Sequence, residues 1–200
     1  MTPDPKINSI LDEANRLFLQ GKLQEAISYY DKILKENPNH LGCINNKGYA
    51  LSKLADYDSA LRCYDTALKL SPNDLPVLVN KISSLRKKGG LTEALSNCEK
   101  ILQSNPNYNI ALYHKERILL SMEKYEESIV CCNKILKDYP NNGDVLFDKS
   151  CNLLMLSKIN EAIDNLEISI SQGIQNKVKA EKSKFFEQLN GNQRFQSLIS

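Results

Sequence analysis

One stretch of the chain decides the fold, and from residue 41 to residue 74 it reads LGCINNKGYALSKLADYDSALRCYDTALKLSPND. In its first part Ile44, Gly48 and Leu51 are three or four residues apart, the spacing that places side chains on one face of a helix. The second part shows the same spacing in Tyr57, Ala60, Leu61, Tyr64, Ala67 and Leu68. The residue before a proline disfavours the helical region, so Pro72 ends the second helix. The stretch therefore predicts two helices joined by a short turn near residues 55–56.

The same stretch recurs along the chain every 34 residues. A Pro-Asn pair marks the end of four units, with the prolines at Pro38, Pro72, Pro106 and Pro140. A small residue recurs in the second helix at Ala26, Ala60, Ala94, Ser128 and Ala162. Small side chains allow two helices to cross closely. A fixed period of this size predicts a repeat architecture, and we predict one array over residues 1–200 with units at 7–40, 41–74, 75–108, 109–142 and 143–176.

The last segment, residues 177–200, is predicted to cap the array. A terminal repeat exposes an apolar face that must be covered. We expect Val178, Phe185, Phe186 and Leu189 to share one face of an amphipathic helix, and residues 190–192 to end it. A short last helix then carries Phe195, Leu198 and Ile199.

Composition excludes several classes of function. The chain is 42% hydrophobic and 25% charged with a net charge of +2, so it has no basic excess of the kind that favours a nucleic-acid partner. The N-terminus has no secretory pattern and no stretch reaches the length of a membrane span, so we expect a cytoplasmic protein without a membrane partner. The six cysteines form no C-x-x-C pair and have no histidine cluster near them, which predicts packed, reduced thiols and no metal site.

The sequence also offers no catalytic constellation. The histidines are His40 and His114, and neither has a serine, cysteine or acid beside it in a triad-like motif. Gly89-Gly90 is interpreted as an inter-helix turn, not as a phosphate-binding loop. We therefore predict no catalytic residues, no cofactor and no enzyme activity.

The stretch from residue 41 to residue 74 resembles the tetratricopeptide repeat, a 34-residue helix–turn–helix unit. The family's pattern of small and aromatic residues and proline falls on Gly48, Tyr57, Ala60, Tyr64, Ala67 and Pro72. The resemblance implies an all-α fold, a right-handed superhelical α-solenoid of antiparallel helix pairs. Five positions depart from the small residues of the pattern, namely Ile33, Ile82, Ile101, Glu116 and Ile135. These bulkier side chains are expected to push neighbouring helices apart and alter the superhelical pitch.

The resemblance further implies a non-catalytic adaptor that binds an extended peptide segment of another protein in a concave groove lined by the first helices. The expected peptide-binding residues are Asn15, Asn46, Tyr49, Asn80, Arg86, Tyr113, His114, Arg117 and Phe147. Asn46 and Asn80 resemble an asparagine ladder, since a carboxamide offers both a donor and an acceptor to a peptide backbone. Hydrogen bonds contribute only about 0.5–1.5 kcal/mol each, so the aromatic residues would supply most of the affinity while Arg86 and Arg117 steer an acidic segment.

A second hypothesis for the function of the array remains beside peptide binding. The chain could be a structural scaffold that self-associates through its ends or its convex face, with residues 185–199 as the segment to watch. We expect a monomer or a weak homodimer.

Overall fold

The structure is a computed structural model that describes residues 5–200, and all of its regular elements in that range are helices. The α-helices are α1 (Pro5–Leu19), α2 (Leu23–Glu36), α3 (Leu41–Lys53), α4 (Tyr57–Leu70), α5 (Leu75–Lys88), α6 (Leu91–Ser104), α7 (Asn109–Ser121), α8 (Tyr125–Asp138), α9 (Gly143–Met155), α10 (Ile159–Ser171), α11 (Ile174–Lys182) and α12 (Gln193–Ile199). A single 3₁₀ helix, Lys184–Leu189, lies between α11 and α12.

The chain divides into two compact units, and the boundary lies between Asn97 and Cys98. Within each unit, helices that follow one another in sequence pack together. In the first unit, α1 packs on α2, α2 on α3, α3 on α4 and α4 on α5. In the second unit, α7 packs on α8, α8 on α9 and α9 on α10. The predicted all-α fold of consecutive helix pairs is confirmed.

Side-chain caps fix where several helices begin. The oxygen of an Asp or Asn accepts a backbone N–H three residues later, an arrangement that satisfies an otherwise unpaired donor. These caps are Asp56 for α4, Asp74 for α5, Asn142 for α9 and Asn192 for α12. The imidazole Nδ1 of His40 does the same for α3, accepting from the Cys43 N–H at 3.2 Å. His40 is therefore a helix cap.

The turn inside each helix pair uses the same backbone conformation. One residue per turn has a positive φ of about 60–90°, and these residues recur every 34 positions at Gly21, Ala55, Gly89, Glu123 and Ser157. Only glycine adopts this left-handed conformation without steric strain. All five turns therefore have the same backbone conformation. The three turns that hold Ala55, Glu123 or Ser157 adopt it at an energetic cost.

The small residues of the repeat lie where helices cross. Ala26 and Ala60 are fully buried, and so is Tyr64. A Cβ atom added at Gly48 would lie 2.7 Å from Cε1 of the Tyr64 ring, so glycine is what allows α3 and α4 to approach this closely. The bulkier residues that depart from the pattern are buried as well, at no more than 3% exposure: Ile33, Ile82, Ile101, Glu116 and Ile135. Their effect on superhelical pitch stays a prediction.

The C-terminal segment differs from the helix predicted over residues 178–189. α11 ends at Lys182, Ser183 is extended with ψ 125°, and a 3₁₀ helix follows. In a 3₁₀ helix residues three apart lie on the same side, so Phe186 and Leu189 are both directed into the core of the second unit, where they are 1% and 2% exposed. The two side chains therefore share a buried side as the sequence pattern indicated, although the backbone is not one continuous α-helix.

Candidate functional site

In the first unit the predicted asparagines bond to one another. The Tyr30 hydroxyl donates to Asn15 Oδ1 at 2.9 Å, and Asn46 Nδ2 donates to the same oxygen at 3.3 Å. One repeat further on, Asn80 Nδ2 donates to Asn45 Oδ1 at 3.0 Å. These bonds link α1 to α3 and α3 to α5. The amides are therefore held in fixed orientations before any ligand arrives.

A small pocket lies beside the Asn15–Asn46 bond. Its volume is about 270 Å³, and its lining residues are Asn15, Phe18, Leu19, Tyr30, Asn46 and Tyr49. We call it the aromatic pocket. The rings of Phe18 and Tyr49 form one wall with centroids 5.4 Å apart, and the Lys53 ammonium lies 5.4 Å from the Tyr49 ring. Leu19 is 84% exposed and Tyr49 39% exposed, so apolar surface is open to solvent at the rim.

The aromatic pocket combines predicted and unpredicted residues. The structure brings Asn15, Asn46 and Tyr49 together, as the first-helix columns of the sequence suggested. It adds Phe18 and Leu19, which are not among the predicted peptide-binding residues. Their signal is visible in hindsight: two large apolar residues end α1, beyond the last core position at Leu17.

The remaining predicted residues of the first unit lie outside this pocket. Asn80 is half-buried beside Asn45, one repeat further along the first-helix face. Arg86 is half-buried in the last turn of α5. The two residues extend the first-helix face but do not line the aromatic pocket.

In the second unit the structure groups Tyr113, His114 and Arg117 with Asp148. Arg117 Nη1 donates to the Tyr113 hydroxyl at 2.9 Å, and Arg117 Nε lies 3.6 Å from Asp148 Oδ2. The guanidinium also lies 5.6 Å from the centre of the Tyr113 ring, and the His114 ring is 6.1 Å from that of Tyr113. Asp148 offsets the charge of Arg117. The Arg117 guanidinium is therefore held in place by its neighbours and does not present an uncompensated positive charge.

Glu116 lies fully buried behind that cluster. Its Oε1 has no hydrogen-bond partner among the described residues, and Cys132 Sγ lies 3.8 Å from its Oε2. Burial, reinforced by the nearby charge of Asp148, raises the pKa of Glu116 to about 10. Burial also raises the pKa of Asp148, against the opposing effect of Arg117. Glu116 is therefore a neutral acid at physiological pH, a role that its position in the repeat did not reveal.

Phe147 belongs to the core instead of the open surface. It is 9% exposed, and its ring lies 5.5 Å from that of Phe186 in the 3₁₀ helix. Phe186 in turn stacks on Phe195 at 5.7 Å. The expectation that Phe147 offers a contact to a peptide is therefore revised, because the C-terminal segment covers this side chain.

The acidic, histidine and cysteine side chains of residues 6–200 are the remaining groups with metal-binding or nucleophilic chemistry. No group of three or more His, Cys, Asp or Glu side chains in that part of the chain is arranged to hold a metal ion. The six cysteines are free thiols, and burial raises the pKa of Cys43 to about 11 and that of Cys98 to about 12. Such thiols stay protonated at neutral pH. None of the helices described is both long and apolar enough to span a bilayer.

Comparisons with known proteins agree with the repeat. Sequence models described as tetratricopeptide repeat match residues 15–40 and 43–74. No curated protein sequence matches the chain.

Solved structures share the fold at low sequence identity. A tetratricopeptide repeat protein from Parabacteroides merdae aligns with a TM-score of 0.81 at 18% identity, over 98% of this chain and 78% of that one. MamA from Desulfovibrio magneticus RS-1 aligns with a TM-score of 0.76 at 20% identity, over 90% and 99%. YrrB, described as a protein with an unusual peptide-binding site, aligns with a TM-score of 0.67 at 17% identity, over 87% and 91%.

Proposed function

Because this chain is a tetratricopeptide repeat protein, we propose that it is a non-catalytic adaptor that binds an extended peptide segment of another protein on the first helices of its repeats. The aromatic pocket of the first unit is the observation that carries the proposal. It offers exposed aromatic and aliphatic surface directly beside a pair of oriented amides. Apolar anchors of this kind, surrounded by polar groups, are where binding energy concentrates in protein interfaces.

The amides supply the complementary recognition of a backbone. A carboxamide has two N–H donors and an oxygen that accepts two hydrogen bonds. Asn46 gives one of its donors to Asn15, which holds its side chain in place and leaves further hydrogen-bonding capacity. An extended peptide presents unpaired N–H and C=O groups along its length. We therefore assign the pocket to one ligand side chain and Asn46 to the adjoining backbone.

The free energies of the individual contacts favour an apolar anchor for the peptide. A micromolar complex needs about 8 kcal/mol, and each amide bond contributes about 0.5–1.5 kcal/mol. Burying one leucine or phenylalanine side chain adds about 1.5–3 kcal/mol. Asparagines alone are insufficient, so we assign the larger share to Phe18, Leu19 and Tyr49.

The second unit supports a polar contribution to the same role. Tyr113, His114 and Arg117 form a preorganised surface, but Asp148 compensates the Arg117 charge. We therefore expect this surface to prefer ligand residues that hydrogen bond or stack, with a weaker preference for acidic residues than Arg117 alone would give. His114 contributes a ring edge beside Tyr113.

A peptide selection followed by affinity measurement tests the proposal. Peptides selected from a random displayed library on the full-length protein should contain a recurrent aromatic or large aliphatic residue. Fluorescence anisotropy should then show that Tyr49→Ala weakens binding about tenfold, the equivalent of 1.4 kcal/mol. Tyr139→Ala is the matched control, because Tyr139 is 55% exposed and lies outside the first-helix face. Unaltered affinity in a Phe18→Ala/Tyr49→Ala double variant would rule the pocket out.

A second candidate function, self-association, rests on the exposed side of α11. Ile174 is 70% exposed and Val178, one turn on, is 41% exposed. Light scattering of the full chain tests this candidate: an Ile174→Lys/Val178→Lys variant should lower the measured mass if α11 joins two copies. A full-length protein that stays monomeric at high concentration excludes it.

The proposed setting is the cytoplasm. Free cysteines persist in reducing compartments, and all six here are free thiols. Partners other than proteins, and cofactors, have no place in the proposal.

A further inference from the structure

A second kind of cavity recurs in both units, on the side formed by the second helices of the repeats. In the first unit, a cavity of about 520 Å³ lies between α2 and α4 above α3. In the second unit, a cavity of about 290 Å³ lies between α6 and α8 above α7. We call them the second-helix slots. Neither includes a residue of the aromatic pocket, so they are independent of the proposed peptide site.

The two second-helix slots are the same structure repeated 68 residues apart. Pro38 lines the first slot and Pro106 lines the second. Ile44 and Leu112 occupy the same floor position. The repeat geometry therefore builds the slot, because equivalent residues line it in two separate units.

Each slot joins an apolar floor to a charged rim. Ile44 is 4% exposed and Leu112 is 3% exposed at the base of their slots. Small-ligand pockets begin near about 300 Å³ and are mostly apolar with a few polar groups. The first slot, at about 520 Å³, lies within that range, and the second, at about 290 Å³, lies just below it. Both have room for an aliphatic side chain.

The charges on the rim are unbalanced in the same direction in both units. Lys47 is paired with Asp31 at 2.6 Å, and Lys115 with Glu99 at 3.0 Å. Each rim also has a second cation, Arg62 in the first slot and Lys134 in the second, at positions of the repeat that are not equivalent. Neither makes an ion pair within the described residues. Arg62 Nη2 donates to the Ser59 hydroxyl instead, at 2.7 Å. The second rim further includes the carboxylate of Glu127, which is paired with Lys124 at 3.3 Å. Each slot thus presents an exposed positive charge beside apolar surface.

The geometry points to a second protein-binding surface: the second-helix slots take acidic amphipathic segments of a partner protein. An aliphatic side chain enters the slot, and a neighbouring carboxylate meets Arg62 or Lys134. Charge complementarity at a rim mainly sets specificity and association rate, while the buried aliphatic side chain supplies most of the affinity. One chain would then bind one peptide on its first helices and another on its second helices.

The test uses the full-length protein and two fluorescein-labelled peptides. One peptide alternates leucine and glutamate, and the other alternates leucine and lysine. The acidic peptide should bind in an anisotropy titration and the basic one should not. Equal binding of the two peptides, or no binding of the acidic one, overturns the proposal.

Variants locate the binding. Thr66→Trp and Val130→Trp together fill both slots from exposed positions on α4 and α8. This double variant should weaken binding about tenfold, whereas Lys69→Trp/Lys137→Trp, on the same helices but outside the slots, should leave it unchanged. Arg62→Glu/Lys134→Glu should weaken binding comparably, with Lys69→Glu/Lys137→Glu as its control. Equal affinities of slot and control variants contradict the inference, and so does a loss caused by Tyr49→Ala, which would place the peptide in the aromatic pocket.

Discussion

At the scale of single residues, the repeat imposes geometry that each unit meets with different chemistry. The left-handed turn position holds glycine at Gly21 and Gly89 but alanine, glutamate and serine at the other three turns. Left-handed backbone disfavours residues with a Cβ atom by about 1–2 kcal/mol. Repeats with glycine at this turn therefore avoid a conformational cost that repeats with alanine, glutamate or serine there must overcome.

Gly89 gives the sharpest test of that turn. Its φ is 92° and a Cβ atom there would meet nothing within 4 Å, so any cost of Gly89→Ala is conformational. We expect the free energy of unfolding, measured by urea titration, to fall by about 1–2 kcal/mol. Gly191→Ala is the control, since Gly191 also has open space around it and does not have the left-handed φ. Equal effects of the two substitutions would contradict the account.

Glu116 makes stability depend on pH. Its pKa is raised to about 10 from an ordinary value of 4.5, so the folded state binds a proton that the unfolded state releases. The stability linked to this proton is fully present below pH 4.5 and declines as the pH rises toward 10, by up to about 1.4 kcal/mol per pH unit. Asp148, whose pKa is also raised, acts in the same direction.

Glu116→Gln should flatten that pH dependence. Glutamine keeps the shape of the side chain and cannot ionise, so the variant should gain stability relative to the natural chain between pH 5 and pH 9. Urea unfolding followed by circular dichroism at these two pH values measures the change. Glu127→Gln, at an exposed position on α8, should leave the slope as it is. A slope that persists in the Glu116 variant would show that other groups cause it.

At the scale of elements, the sequence predicted the helix pairs because each 34-residue unit repeats the same core pattern. Pro72 ends α4 at Leu70, and Asp74 and Pro76 begin α5, as local rules indicate. The break at Ser183 escaped prediction, because α-helical and 3₁₀ spacing are hard to distinguish over six residues. The 3₁₀ helix packs against α9, and short-range sequence patterns carry no information on that contact.

For the candidate site, the sequence indicated which residues share the first-helix face but not which of them the C-terminal segment covers. Asn15, Asn46 and Tyr49 meet because their columns follow the repeat. Phe147 was misplaced because its cover, Phe186, comes from a segment outside the repeat.

Ion pairs of neighbouring helices were missed although they recur with the repeat. They join Asp31 to Lys47, Asp65 to Lys81, and Glu99 to Lys115. A search for charge pairs 16 residues apart would have found them.

The 3₁₀ helix contributes a buried aromatic side chain to the core of the second unit. Phe186 is 1% exposed and contacts the rings of both Phe147 and Phe195. Phe186→Ala should lower the free energy of unfolding of the second unit by about 3–5 kcal/mol. The neighbouring Phe185, which is only half-buried, provides the control in Phe185→Ala. Hydrogen exchange of the α9 and α12 amides should rise in the first variant, and a similar response in both variants would argue against the core role.

At the scale of the whole molecule, the first and the second helices of the repeats differ in the chemistry of their side chains. First helices carry amides and aromatic rings, and second helices carry apolar slots with cationic rims. The aromatic pocket and the second-helix slots share no lining residue, so the two proposed binding sites are separate. Fold alone does not specify a ligand, so the assignment depends on these side chains.

Chemical-shift mapping of the full-length protein with a peptide selected on it tests whether the aromatic pocket binds peptides. The account predicts that the largest backbone amide shifts cluster at Asn15, Phe18, Asn46 and Tyr49, the residues of the aromatic pocket. Shifts that leave these amides unchanged and cluster on α11 or elsewhere would contradict the proposed peptide-binding function.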